Sequence, residues 1–106
     1  MAKYLIIGHY TADGARGLLK EGGSRRREAA EQVMSSVGGT IESMYWGFGD
    51  DDFYIVADAP SSAAVAAAAL TVGASGTVKV RTVVLLTAEE LDAAAKTSVT
   101  FRPAGT

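Results

Sequence analysis

The chain contains a single histidine, His9, near the end of its first apolar run. Histidine takes up and releases a proton near neutral pH, so it can act as a general base when a carboxylate orients it. We place Asp58 beside His9, on a neighbouring strand taken as parallel, and Lys79 or Arg81 on the strand at the other side. Arg81 would then hold a carboxylate or enolate oxygen. The alternative is a histidine at the rim with an ordinary hydrogen bond.

Three aspartates, Asp50, Asp51 and Asp52, follow Gly49 in a row. Consecutive strand residues point to opposite faces, so the three cannot converge on one ion, and no calcium-loop pattern surrounds them. One histidine with a carboxylate is too small a ligand set for a dedicated metal centre, and we predict no metal and no cofactor. We interpret the run as the solvated tip of a hairpin. Only Asp52 is expected to reach a ligand-binding face, beside Trp46.

Large side chains on the middle strands can form the wall of a binding site. Trp46, Tyr54 and Met44 supply the apolar part of that wall, and Asp52 and Lys79 are its expected polar contacts. The same large residues can equally form the core of a dimer interface.

A basic run, Arg25 to Arg27, follows Gly-Gly-Ser at a helix start. Backbone N–H groups and guanidinium groups could hold a phosphate there. Because the chain has no phosphate-loop or dinucleotide-binding pattern, we interpret the run as a solvated basic turn.

The elements that position these residues follow from hydrophobic spacing and turn residues. Short runs rich in Ile, Tyr and Val predict four strands, and runs with helical spacing predict two helices between them and a short helix after the last strand. Thr11 is the expected cap of the first helix, which Gly22 and Gly23 interrupt, while Thr87 and Glu90 have the spacing of a capping box. The strands are predicted at residues 3–10, 40–47, 51–58 and 77–86.

The resulting order is β-α-β-β-α-β, followed by the short helix. Crossovers of this length favour an α+β, ferredoxin-like fold: a four-stranded antiparallel sheet in the order 4-1-3-2 with the two long helices on one face. We place this domain at residues 1–95 and a tail without clear structure at residues 96–106.

The second face of such a sheet has no helix over it, and we call it the open face. Strand alternation puts many apolar side chains on it. A monomer rarely exposes that much apolar surface, so we expect a homodimer that packs sheet against sheet, with the polar residues in a cavity between the sheets. The apolar residues assigned to the open face are Leu5, Ile7, Met44, Trp46, Tyr54, Val56, Val83 and Leu85.

Composition narrows the class of function. The 106 residues are 48% hydrophobic, which suits one globular domain. The net charge of -2 argues against a nucleic-acid partner, because a protein that binds nucleic acid needs a basic face. No apolar run approaches the roughly 20 residues of a membrane span, and the N-terminal run lacks the pattern of a signal peptide. Without cysteine, no disulfide or thiolate metal site can form. We therefore expect a soluble, cytoplasmic protein with no membrane partner.

Three short motifs follow one another in an order typical of one family. The first is "YTADG" (10–14), the second "GDDDFYIVADAP" (49–60) and the third "GTVKVRTVVLLTAEEL" (76–91). They resemble, in turn, the Tyr-Thr-x-x-Gly, Gly-x-Tyr-Asp and last-strand segments of the GYD domain family, small proteins of the dimeric α/β-barrel superfamily. The resemblance extends over residues 3–92.

The resemblance implies a ferredoxin-like fold assembled as a dimeric α/β barrel, and it implies no settled reaction. The wider superfamily contains cofactor-free monooxygenases, isomerases and stress proteins, which is a likeness of fold alone. The chain departs from the family pattern at Asp51, where the family has tyrosine, while Gly49 and Asp52 are kept.

Two hypotheses of function follow. In the first, a homodimer binds a small apolar or aromatic molecule between the sheet and its helices or its partner, with cofactor-independent isomerase or oxygenase activity based on His9, Asp58 and Arg81. In the second, the protein is a non-catalytic structural or regulatory dimer whose open face is entirely interface.

Overall fold

The computed structural model describes residues 1–106, with four strands and three helices. This succession confirms the predicted order, including the short helix after the last strand. None of the three helices is both long enough and apolar enough to cross a membrane. The elements are β1 (Ala2–Tyr10), α1 (Ala12–Ser36), β2 (Thr40–Trp46), β3 (Phe53–Ala59), α2 (Ser62–Ala74), β4 (Val78–Leu85) and α3 (Ala88–Lys96).

The helix ends lie where the capping residues predicted them. The Thr11 hydroxyl accepts a hydrogen bond from the Gly14 N–H at 3.3 Å, and Thr87 and Glu90 form the complete capping box of α3. Inside α1, Gly22 has φ 78° and ψ 174°, a backbone conformation that is essentially restricted to glycine. The predicted interruption of the first helix is therefore confirmed, as a kink within one long helical segment.

The sheet has the order β2-β3-β1-β4, and every neighbouring pair is antiparallel. This confirms the predicted α+β, ferredoxin-like arrangement and the order 4-1-3-2. Each long helix connects two parallel, non-adjacent strands, so both helices return over the same face.

The hydrophobic core lies between that face and the helices α1 and α2. Small residues at Ala57, Ala59 and Ala68 are almost fully buried, so the alanine-rich α2 can approach the sheet closely. Large side chains pack beside them, each contributing about 1.5–3 kcal/mol by burial. The ten core residues are Tyr4, Met34, Met44, Phe53, Ile55, Ala57, Ala59, Val65, Ala68 and Val78.

The register of β2 differs from the prediction. Trp46 pairs with Phe53 and not with Asp52, because the connection between the strands occupies residues 47–52 and closes with a hydrogen bond from Gly47 N–H to the Asp52 carbonyl. A shift of one residue reverses the face of every side chain in a strand. The assignment of Met44 and Trp46 to the open face is therefore wrong: Met44 is buried in the core, and Trp46 packs against the core.

The other strands present the residues that alternation predicts on the open face. Leu5 lies between Val56 and Val83, and Ile7 lies between Tyr54 and Arg81. Ile7 is only 6% exposed although it is not part of the core under the helices, so its own neighbours on the open face cover it. From β2, Tyr45 pairs with Tyr54 there and is 71% exposed.

Candidate functional site

One end of the open face carries a group of charged side chains. His9 is paired with Lys79 across the β1–β4 ladder, and both side chains are exposed. The Arg81 guanidinium donates to the Asp51 carboxylate at 3.0 Å. The Asp51 side chain is only 17% exposed whereas that of Arg81 is 65% exposed. Asp51, the position at which the sequence departs from its family, is thus the acid that anchors Arg81.

The opposite end of the open face holds a second charged group, centred on Lys3. Its ammonium donates to Asp58 at 3.0 Å and to the carboxylate of Glu42. These hydrogen bonds, the one to Glu42 foremost, raise the pKa of Lys3 above its usual 10.5. Asp58 is therefore the partner of a lysine.

The predicted pairing of His9 with Asp58 is wrong. The strands β1 and β3 are antiparallel, and Asp58 lies opposite Lys3, six positions from His9 along β1. At about 3.4 Å per residue the separation is about 20 Å. The physical reason is the topology: two βαβ crossovers make β1 parallel to β2 and β3 parallel to β4, so the hairpin between β2 and β3 leaves β1 and β3 antiparallel.

Asp52 also has a different position from the predicted one. Its carboxylate accepts a hydrogen bond from the Tyr10 N–H at 2.9 Å, and its own N–H donates to the Gly8 carbonyl at 2.8 Å. Trp46 and Tyr54, predicted as one aromatic wall, lie on opposite faces of the sheet. Asp52 thus fixes the backbone at the end of β1, which holds Tyr10 in place.

On the helix side, an apolar cavity of about 90 Å³ lies between the sheet and the two long helices. Its walls come from α1, α2 and all four strands, and hydrophobic side chains form 14 of its 15 lining residues. Tyr10 and Arg26 are the lining residues whose side chains end in hydrogen-bonding groups. A concave apolar site with few polar groups is the usual form of a small-molecule site.

Tyr10 lines this cavity and is held by two aromatic neighbours. Its hydroxyl accepts a hydrogen bond from the Trp46 indole N–H at 3.0 Å, and its ring lies 5.4 Å from that of Phe53. A phenol can accept and donate at once. The Tyr10 O–H can therefore still donate a hydrogen bond while Trp46 holds its orientation.

The "YTADG" motif attaches the start of α1 to the start of β4. The Thr11 N–H donates to the Thr77 carbonyl at 2.9 Å, and the Thr11 hydroxyl donates to the Gly76 carbonyl at 2.7 Å. A Cβ at Gly14 would lie 1.9 Å from the Thr77 carbonyl oxygen, so only glycine permits this approach. These contacts set the distance between α1 and the sheet beside Tyr10.

Two arginines of the basic run at the helix kink have different partners and positions. Arg27 pairs with Glu31 at 3.3 Å on the exposed side of α1, as a solvated turn predicts. Arg26 instead donates to Glu21 at 3.3 Å across the kink and lines the apolar cavity.

The model of one family, the GYD domain, matches residues 4–95. The chain belongs to the GYD domain family. No curated protein and no solved structure matches it. The match covers everything from β1 into α3, and it confirms the resemblance carried by the three motifs.

Two of the GYD motifs meet at Tyr10 in the structure. The first contains Tyr10 itself with its helix cap Thr11, and the second supplies Asp52, which binds the Tyr10 backbone. The sequence alone did not indicate that Tyr10 and Arg26 line one cavity. The signal that could have identified Tyr10 is its place in the first motif; no local pattern marks Arg26, because its position depends on the kink in α1.

Proposed function

We propose that this GYD-domain protein binds a small apolar molecule in the cavity between its sheet and the helices α1 and α2. The observation that carries the proposal is the lining of that cavity: hydrophobic side chains around a space of about 90 Å³, with Tyr10 and Arg26 as its polar groups. Displacing water from such a surface contributes about 25 cal/mol per Å² of apolar area.

The size of the cavity limits the part of a ligand that can be buried. An engineered protein cavity of about 150 Å³ takes up benzene, so the smaller space here suits a short alkyl chain or part of one ring. The remainder of the ligand would extend toward Tyr10 and Arg26.

We further propose that the open face pairs with a second copy of the chain. Tyr45, Tyr54 and Val83 are 71%, 40% and 40% exposed on that face, next to Leu5 and Val56. Covering apolar surface of this kind is the usual reason for a twofold homodimer. A reaction based on His9 and Asp58 is not part of the proposal, since the two residues stand at opposite ends of the open face.

The test of binding uses nuclear magnetic resonance titration with hexan-1-ol as the probe. We expect shifts confined to residues that line the cavity. The variant Ala69→Leu places extra carbon atoms in the cavity and should weaken binding at least about tenfold, since it occupies much of the space. The control Ala67→Leu adds the same atoms to the same helix at an exposed position and should bind as the unchanged protein does.

Two results would contradict the proposal. One is a wild-type protein that shows no saturable shifts, which would leave the structural or regulatory dimer as the function. The other is equal binding by the two leucine variants, which would place the ligand elsewhere.

A further inference from the structure

A second cavity, of about 160 Å³, adjoins the apolar one. It lies between the first half of α1 and the start of β4, and only three of its nine lining residues are hydrophobic. Tyr10, Arg26 and Val78 line both cavities. A single molecule can therefore contact the apolar space with one end and the polar space with the other.

The polar cavity contains side chains of both charges. Asp13 and Glu21 supply carboxylates, Arg26 supplies a guanidinium, and Thr77 adds a hydroxyl. The carboxylates are already paired, Asp13 with Arg16 and Glu21 with Arg26. A charged head group would meet side chains of both signs there, so its attraction to one group is offset by repulsion from another. An uncharged hydroxyl can donate to the carboxylates and accept from the guanidinium.

Gly17 leaves the space for such a group. It lines the polar cavity from within α1, and a Cβ built there would have no atom within 4 Å. Glycine costs about 1 kcal/mol against alanine in a helix, and no close contact at this position requires it. The small residue keeps the cavity open.

We propose that the ligand of this protein is an uncharged, hydroxyl-bearing amphiphile. Its apolar part occupies the cavity under α2, and its hydroxyl groups occupy the polar cavity between Tyr10, Glu21 and Arg26. The inference rests on the proposed function and adds to it a head-group site and a chemical class of ligand.

The test compares four probes with the same six-carbon chain: 1,2-hexanediol, hexan-1-ol, hexanoate and hexylammonium. We expect the diol to bind about fivefold more tightly than hexan-1-ol, the gain from one added hydrogen bond, and both charged probes to bind more weakly than the diol. The variant Gly17→Leu should remove the advantage of the diol over hexan-1-ol, because leucine fills the polar cavity. Leucine is a better helix former than glycine, so this variant should fold.

The matched control is Gly73→Leu. Gly73 also lies inside a helix with nothing within 4 Å of a Cβ, but it lines neither cavity, so this variant should retain the preference for the diol. Tighter binding of hexanoate or hexylammonium than of the diol would overturn the chemical class. A diol advantage that persists in Gly17→Leu would overturn the site. If hexan-1-ol itself does not bind, the proposed function fails together with this inference; if it binds and the diol has no advantage, only this inference fails.

Discussion

At the scale of single residues, three contacts fix the position of Tyr10 on the helix side of the sheet. Trp46 donates to its hydroxyl, Phe53 packs against its ring, and Asp52 accepts from its N–H. Trp46 is the last residue of β2, Phe53 is the first residue of β3, and Asp52 ends the loop between them. The acidic run therefore supplies one structural anchor, Asp52, and one partner for Arg81, Asp51.

Replacing Asp52 by alanine should lower the free energy of unfolding by about 1–3 kcal/mol, because the half-buried Tyr10 N–H loses its acceptor. Urea unfolding followed by circular dichroism measures the change. Asp50→Ala is the control, since Asp50 is exposed at the loop tip and should be replaceable without loss. Equal stability of the two variants would show that Asp52 does not anchor the end of β1.

The charged group around Lys3 predicts a pH dependence of stability. Hydrogen bonds to Glu42 and then Asp58 raise the pKa of Lys3 in the folded protein above the 10.5 of the free side chain. A group with a raised folded pKa stabilises the protein fully below its unfolded pKa, and that contribution is lost as the pH rises through the folded pKa. The stability of the wild type should therefore fall toward that of Lys3→Met as the pH rises above 10.5.

The measurement is chemical unfolding at a series of alkaline pH values. Lys20→Met serves as the control, because Lys20 is exposed on α1 and should leave the pH dependence of the wild type intact. A constant difference between wild type and Lys3→Met across this range would contradict the prediction.

At the scale of elements, the kink in α1 determines which charged side chains line the polar cavity. The kink at Gly22 places Glu21 and Arg26 on its two sides, where they pair and line the polar cavity. The next residue, Gly23, lies against the Trp46 ring, with 3.8 Å between that ring and a Cβ built there. One interruption in a helix thus sets the position of both charged groups beside Tyr10.

Gly22→Ala should destabilise the protein by about 1–3 kcal/mol, because alanine is strained at φ 78° and ψ 174°. It should also weaken binding of the diol probe, because the kink positions Glu21 and Arg26 in the polar cavity. Gly73→Ala is the control: Gly73 is helical without close neighbours, so alanine should stabilise α2 by up to about 1 kcal/mol. Thermal unfolding distinguishes the two, and a stabilised Gly22→Ala would show that the kink is not required.

At the scale of the whole molecule, the two faces of the sheet have different roles. The helix side holds the core and both cavities, whereas the open face presents Tyr45, Tyr54 and Val83 to solvent. The molecule measures 56 × 33 × 22 Å, with a radius of gyration of 16.8 Å, against about 13 Å for a globular chain of this length. The helix α3 has no buried residue, so one chain leaves both α3 and the open face uncovered.

Light scattering should give about twice the chain mass of 10.9 kDa at micromolar concentration. Val83→Asp should shift the protein to the monomer mass, because dimer formation would bury an unpaired charge. Val84→Asp is the control on the adjacent residue, which points to the other face and is 58% exposed. A monomeric wild type, or a Val83→Asp variant that remains dimeric, would contradict assembly through the open face.

The sequence by itself determined the elements, their order and the fold. Apolar runs bounded by glycine and capping residues mark the strands and helices, and the signals involved, such as Thr11 and Thr87, act within a few residues along the chain. The open-face residues of β1, β3 and β4 follow from strand alternation alone. The family membership was likewise visible in three short motifs.

Only the tertiary structure decided which side chains meet. The pairing of Trp46 depends on the length of the loop at residues 47–52, and an error of one residue moved Trp46 and Met44 to the wrong face. The predicted pair of His9 and Asp58 failed because strand direction is a property of the whole topology. Tyr10 and Arg26 come together only when the first motif, the acidic run and the helix kink are all in place, since contacts between distant segments leave no local pattern in the chain.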